Sequence, residues 1–291
     1  MGVKTLAAAA AVIVGLAVPA RADDDERKDG DPFYRLDTKN LFGALEGADV
    51  GEAGDRSVEL ETTAALFKPS GRYALVEQEA IYEITPTPRL GIEFGAHGLG
   101  QSIRGIADVS NYSGVDFSGV SNEWRYVLVP HSGPWSAQAT ITLAPEASLR
   151  FEGGATGQQL DLPLLFILDA QPIARRLYAD LNLLYAPQIS SLRGEPWERA
   201  SALSASGAMS WRITPEAMIG GEADVLNEFD GLAAQSWLGS AVFLGPTFHY
   251  QLSGKIDLSG AWTQQLAGWP HGPNLAQFTR SQAKLRLEIE F

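Results

Sequence analysis

The chain contains no cysteine among its 291 residues. That removes disulfides, thiol nucleophiles and thiolate metal sites together. Histidine is nearly as rare: His97, His131, His249 and His271 are the only four, and their spacing fits no metal-binding or nucleophile–base motif. Basic residues are scarce too, with 22 Lys and Arg against 35 Asp and Glu and a formal net charge of -13. Nucleic-acid binding depends on clustered Lys and Arg, so that partner class is excluded. No apolar run is long. The best, residues 6–18, falls short of the roughly 20 residues a helix needs to cross a bilayer. Phosphate-cradling glycine loops and dinucleotide fingerprints are absent as well. No metal or cofactor is expected.

What is present at the N-terminus reads as a secretory leader. Lys4 precedes the apolar run, and Ala20-Arg21-Ala22 supplies a small-x-small cleavage pattern, which predicts residues 1–22 as a signal peptide cleaved after Ala22. That leader carries Lys4, Arg21 and no acid, so the mature chain has 20 basic and 35 acidic residues and a net charge of -15.

The C-terminus is the most informative stretch. Leu285, Leu287, Ile289 and Phe291 alternate with Arg286, Glu288 and Glu290. Successive side chains of a strand point to opposite faces, so this strand has one apolar and one charged face. It resembles the terminal strand of bacterial outer-membrane β-barrels, whose final aromatic residue is read by the barrel-assembly machinery. The resemblance implies that machinery as a partner through Phe291.

From Arg56 onward the chain falls into about twelve segments of period-2 alternation, separated by Gly, Pro, Asn and Ser clusters. In 135–152 the odd positions, among them Trp135, Ile141, Leu143, Leu149 and Phe151, are apolar. The even ones, among them Gln138, Thr140, Thr142, Glu146 and Arg150, are mostly polar. Such alternation averages to ordinary hydropathy, which is how a transmembrane barrel escapes a search for apolar runs. Links after even-numbered segments are short and often Pro-marked, while most links after odd ones are longer. Short periplasmic turns and longer outer loops are the habit of outer-membrane barrels. On the apolar faces Tyr82, Tyr126, Trp135, Trp211, Phe248 and Phe291 all fall beside the short turns, where a membrane-interface girdle belongs. The predicted fold is all-β: an antiparallel transmembrane β-barrel of about 12 strands over 56–291, in contact with the lipid bilayer of an outer membrane. Residues 23–55, acidic at first and then carrying Phe33, Tyr34, Leu41 and Phe42, are read as a short periplasmic extension. Entry of that segment into the lumen is the alternative.

The polar faces carry the candidate chemistry. Glu77, Glu79, Glu93, Glu123, Arg125, Glu146, Arg150, Tyr178, Asp180, Arg212, Glu222 and Phe243 are expected to face the lumen and line a solute pathway. Acids outnumber bases there, which biases such a lumen toward cations. Leu165, Ile167, Leu184 and Trp237 also fall on inward phases and would form an apolar patch for aromatic or amphipathic solutes. Barrels of about eight strands are filled by side chains and those of 16 to 18 hold a water channel, so twelve strands allow either an open or a closed interior. A lipid-active enzyme needs a Ser with a His base in reach. His97 with Ser102 or Ser118 is the best pairing offered, and its spacing matches no known motif. The chain is therefore read as a non-enzyme, with a soluble two-sheet protein as a further rival.

At whole-chain level the sequence resembles the proteobacterial outer-membrane group described as transporters of the meta-pathway of phenol degradation. The resemblance rests on Asp31-Pro32-Phe33-Tyr34-Arg35, the twelve-strand layout and the strand ending Leu258-Ser259-Gly260-Ala261-Trp262. It implies passive passage of small organic molecules, aromatic ones included. A structural or adhesive barrel with a closed lumen is the alternative.

Overall fold

A strand that is polar on one side and apolar on the other can bury only one face. Twelve in succession leave two unpaired edges unless the sheet closes on itself. In the computed structural model, which describes residues 38–107, 109–132, 137–149, 151–152, 155–270 and 272–291, it closes. The strands are β1 (Arg56–Leu66), β2 (Arg72–Thr87), β3 (Leu90–Arg104) and β4 (Tyr112–Ser132). Next come β5, in the pieces Ala137–Leu143, Glu146–Ser148 and Phe151–Glu152, and β6, in the pieces Ala155–Asp161 and Leu164–Ile173. The remainder are β7 (Leu177–Leu192), β8 (Glu198–Arg212), β9 (Ala217–Asp230), β10 (Ser236–Ser253), β11 (Ile256–Trp269) and β12 (Ser281–Glu290). Each pairs antiparallel with its neighbour in the chain. The last strand returns to the first along an unbroken ladder from Ser57↔Glu290 to Leu66↔Ser281.

The alternation that sets the strands also turns the protein inside out relative to a soluble one. Leu285 and Ile289 are exposed on the outer wall, whereas Arg286 and Glu288 are buried inside. The same holds on β4, where Trp124 and Tyr126 face out and Arg125 is 1% exposed. No helix among the described residues is long and apolar enough to cross a membrane; the crossing elements are strands. Tyr82, Tyr126, Trp211, Phe248 and Phe291 all stand on the outer surface near the short turns, and the rings of Tyr82 and Phe291 stack at 6.4 Å. Trp135 lies outside the described residues.

Two expectations change. Trp237 points outward, not inward, because the β9–β10 ladder slips between Glu228 and Phe229 and leaves Leu238 as a bulge. One extra residue reverses the phase beyond it. The alternating run read as one strand in 135–152 is interrupted, for a reason that bears on the site.

Candidate functional site

The axis of the barrel is filled from below by residues 38–50. They enter the lumen, which is the plug alternative for this stretch of 23–55, while 52–55 lie exposed beside the start of β1. The segment is a compact loop: the Leu41 N–H donates to the Thr38 carbonyl at 3.2 Å and the Gly47 N–H to the Lys39 carbonyl at 2.8 Å. Gly43 sits at φ +74, and a Cβ there would stand 2.2 Å from Thr247 Oγ1 on β10 and 2.7 Å from the Gly260 carbonyl on β11. Only glycine fits so close an approach in that conformation.

Apolar and ionic contacts share the work. Leu41, Phe42 and Leu45 bury against Tyr178 (β7), Ala208 (β8) and Met218 (β9). Lys39 enters a cage of carboxylates, 2.5 Å from Glu83 (β2), 2.9 Å from Glu93 (β3) and 3.7 Å from Glu59 (β1). Burial works against its charge, but Glu83, Glu93 and Glu59 outweigh that and hold its pKa well above the ordinary lysine value. Asn40 donates to Glu59 at 2.9 Å and to Glu288 (β12) at 2.8 Å. Glu46 reverses the polarity: it meets Arg125 (β4) at 2.7 Å, Lys284 at 3.3 Å and Arg286, the last two on β12. Gln138 and Thr140 (β5) donate to the Ala48 carbonyl at 2.6 and 2.5 Å, and Thr38 donates to Asp169 (β6). The plug touches all twelve strands.

The described ones among the predicted lumen residues point inward, and many serve the plug. Glu93 and Arg125 hold it directly, and Glu123 braces Arg125 at 2.7 Å. Tyr178 packs on it, Glu222 accepts from the Ala44 N–H at 3.2 Å, and Asp180 accepts at 2.5 Å from Asn182, whose side chain also binds the Glu46 backbone. Arg212 sits at the lower rim, donating to the Arg175 and Pro215 carbonyls at 3.4 Å each. Arg150 lies outside the described residues. Above the plug, Glu77 and Glu79 flank His97, 3.5 Å from Nδ1 and 3.4 Å from Nε2. Ser102 is on the outward face of β3 and His97 on the inward face, which separates those two, whereas Ser118 is buried on β4 at the bulge next to the His97↔Gly119 pair.

Loops fold inward at the outer end as well and narrow it. Phe243 packs with Ala241 and Phe278, the last from the β11–β12 loop folded inward. Lys68, just beyond β1, pins that loop by donating to the carbonyls of Ala276, Gln277 and Phe278 at 3.3, 3.2 and 2.8 Å. Burial lowers its pKa to about 8, against the pull of Glu228. Ile106 and Val109 of the β3–β4 loop tuck against Tyr73, Leu75, Leu99 and Ile103.

The wall loses ladder bonds along a seam of prolines. Pro145, Pro163 and Pro187 stand side by side on β5, β6 and β7. Each lacks the N–H that would complete a ladder bond, and the remaining bonds run one way only, from Asn122 to Pro145, Ala144 to Pro163 and Leu162 to Pro187. Pairing stops at Leu143↔Leu164 and resumes at Glu146↔Asp161. On this seam lies a cleft of about 610 Å³. Val120, Pro145, Ala147, Leu160, Leu162, Pro187 and Ile189 give it apolar lips, and Ser121, Glu146, Asp161 and Gln188 lead inward. Leu232 reaches over from the β9–β10 loop, which is tied down by the Tyr185 hydroxyl donating to its carbonyl. At ~3.3 Å per residue and a tilt of ~40°, the seam stands about 25 Å above the short turns, level with the outer leaflet.

Sequence comparison matches residues 35–291 to a family described only as being of unknown function, DUF6662. No curated protein matches. Among solved structures the chain is similar to the COG4313 outer membrane channel from Pseudomonas putida F1, with 14% identity and a TM-score of 0.58 over 84% of this chain and 98% of that one. That likeness shows a shared outer-membrane barrel fold. Looser likenesses are to the KdgM porin in complex with disordered oligogalacturonate (8% identity, TM-score 0.46, 81% of this chain and 99% of that) and to the NanC porin (9%, 0.45, 81% and 98%).

Proposed function

The chain belongs to the family of unknown function DUF6662, and on that premise we propose that it is a gated outer-membrane channel for small apolar and aromatic organic solutes. The proline seam carries this reading. The axial route is stopped by the plug below and narrowed by inward-folded loops above, while the apolar cleft lies on the bilayer face with Ser121, Glu146, Asp161 and Gln188 at its base. A solute that partitions into the outer leaflet enters there, where broken ladder bonds let β5, β6 and β7 part at low cost. It then leaves to the periplasm when the plug yields, in keeping with the resemblance to transporters of phenol degradation. With the plug withdrawn, the bared Glu59, Glu83, Glu93 and Glu288 give the lumen its preference for cations.

The test is uptake of a radiolabelled alkylbenzene into cells carrying the chain or its P145V/P163V/P187V variant. Sealing the seam lowers uptake to the background of cells lacking the chain; unchanged uptake refutes the wall route. The plug's contact with every strand favours one rival, a structural barrel that stays shut. That rival requires the variant lacking residues 38–50 to be the only form that conducts ions, and the intact chain to pass nothing.

A further inference from the structure

On the described outward positions of the twelve strands there is no Asp or Glu, and four charged residues stand there: Arg56, Arg72, Arg104 and Arg199. A charge at the bilayer midplane costs about 2–4 kcal/mol in a barrel wall and almost nothing at the interfaces, so their positions along the strands matter. Arg56 begins β1 at the periplasmic end. The other three sit at the outer ends of β2, β3 and β8. At ~3.3 Å per residue and ~40° of tilt they stand about 33–35 Å above the short turns, just beyond an apolar band of about 25 Å that starts at the lower aromatic girdle.

Arg72 and Arg104 are also direct cross-strand partners in the β2–β3 ladder. Like charges placed opposite one another destabilise a sheet, because Cβ atoms there stand only about 4.5–5.5 Å apart. Both side chains are exposed, and neither makes an ion pair with a described residue. The nearest charged group of β4, Asp116, points inward and accepts from Tyr112.

We propose that the Arg72–Arg104 pair binds a phosphate of the phosphorylated glycolipid in the outer leaflet. One such group between two guanidinium forks converts their repulsion into charge-assisted hydrogen bonds, for which arginine geometry is suited. Apolar outward residues below the pair, Ala74 and Val76 on β2, then lie along the acyl chains. This inference rests on the outer-membrane reading but not on solute passage.

Native mass spectrometry of the full chain, titrated with diphosphoryl lipid A, tests it. The wild-type chain and an R56Q control retain the lipid, and R72Q/R104Q weakens retention at least tenfold. Dephosphorylated lipid A binds as weakly to the wild type as the intact lipid does to the double variant. Equal retention by R72Q/R104Q, or equal binding of the dephosphorylated lipid, overturns the site. Displacement by millimolar inorganic phosphate overturns the lipid assignment in favour of a free-anion site. Failure of the chain to insert into vesicles overturns the outer-membrane reading and this inference together.

Discussion

Replacing Glu46 with alanine removes the one plug carboxylate that faces Arg125, Lys284 and Arg286 together. A hydrogen bond to a charged group contributes about 1.5–3 kcal/mol, and severing a buried ion pair costs about 3–5 kcal/mol. Two facts pull the sum to the lower end. Glu46 keeps 22% of its side chain exposed. Its three partners also retain Glu123 at 2.7 Å from Arg125 and Glu61 at 2.7 and 2.9 Å from Lys284 and Arg286. A loss of about 3 kcal/mol shifts the docked–undocked equilibrium of the plug by about 10²-fold, at 1.4 kcal/mol per factor of ten. The assay is single-channel recording in planar bilayers, with the variant lacking 38–50 defining the plug-free current. E46A should visit that same current level with an open probability about 10² times that of the wild type, while its gel mobility still shifts on heating as a folded barrel's does. If the deletion variant conducts and E46A opens no more often than wild type, the Glu46 cluster is not what holds the plug.

Lys39→Met removes the cation that Glu83, Glu93 and Glu59 share, leaving Arg125 at 3.3 Å from Glu93 and Arg286 at 3.6 Å from Glu59, so the plug should leave more often and the resulting current should be cation-selective, read as a reversal potential in a salt gradient. Lys68→Met frees the three carbonyls of the β11–β12 loop that its ammonium holds. Conductance should stay at the closed level while the plug is present and rise above that of the deletion variant once 38–50 is also removed. Pro→Val at 145, 163 and 187 restores three ladder N–H groups at about 0.5–1.5 kcal/mol each. The triple variant should therefore unfold in denaturant at a higher midpoint than wild type, and a lower midpoint counts against the seam.

The barrel was legible because period-2 alternation is a local property. Leu285 to Phe291 or Ala74 to Ile84 can be sorted into two faces without knowing the partner strand. Trp237 shows where that ends: a bulge one residue away at Leu238 reverses the face, and nothing in the local sequence marks it. The prolines were visible, yet their consequence was not, since Pro145, Pro163 and Pro187 come to one height only once three registers are set. The plug was hardest. Residues 38–50 have no period, and their partners are scattered from Glu59 to Glu288. One signal was available: inward acids far outnumbered inward bases, and Lys39 stands beside Leu41 and Phe42 in a segment otherwise poor in cations. A lumen rich in acids beside an apolar segment that carries a lysine is a reason to bring the two together.

The ring of β1–β12 pairing is where the sheet becomes a barrel, and the plug bridges that junction. Asn40 holds Glu59 of β1 and Glu288 of β12 at once, and Arg286 of β12 reaches Glu59 and Glu61 of β1. None of these groups can meet while the sheet is still open. Docking of 38–50 thus fastens the first strand to the last once their ladder has zipped, and residues that look like a gate in the finished molecule act as a clasp at the end of its assembly.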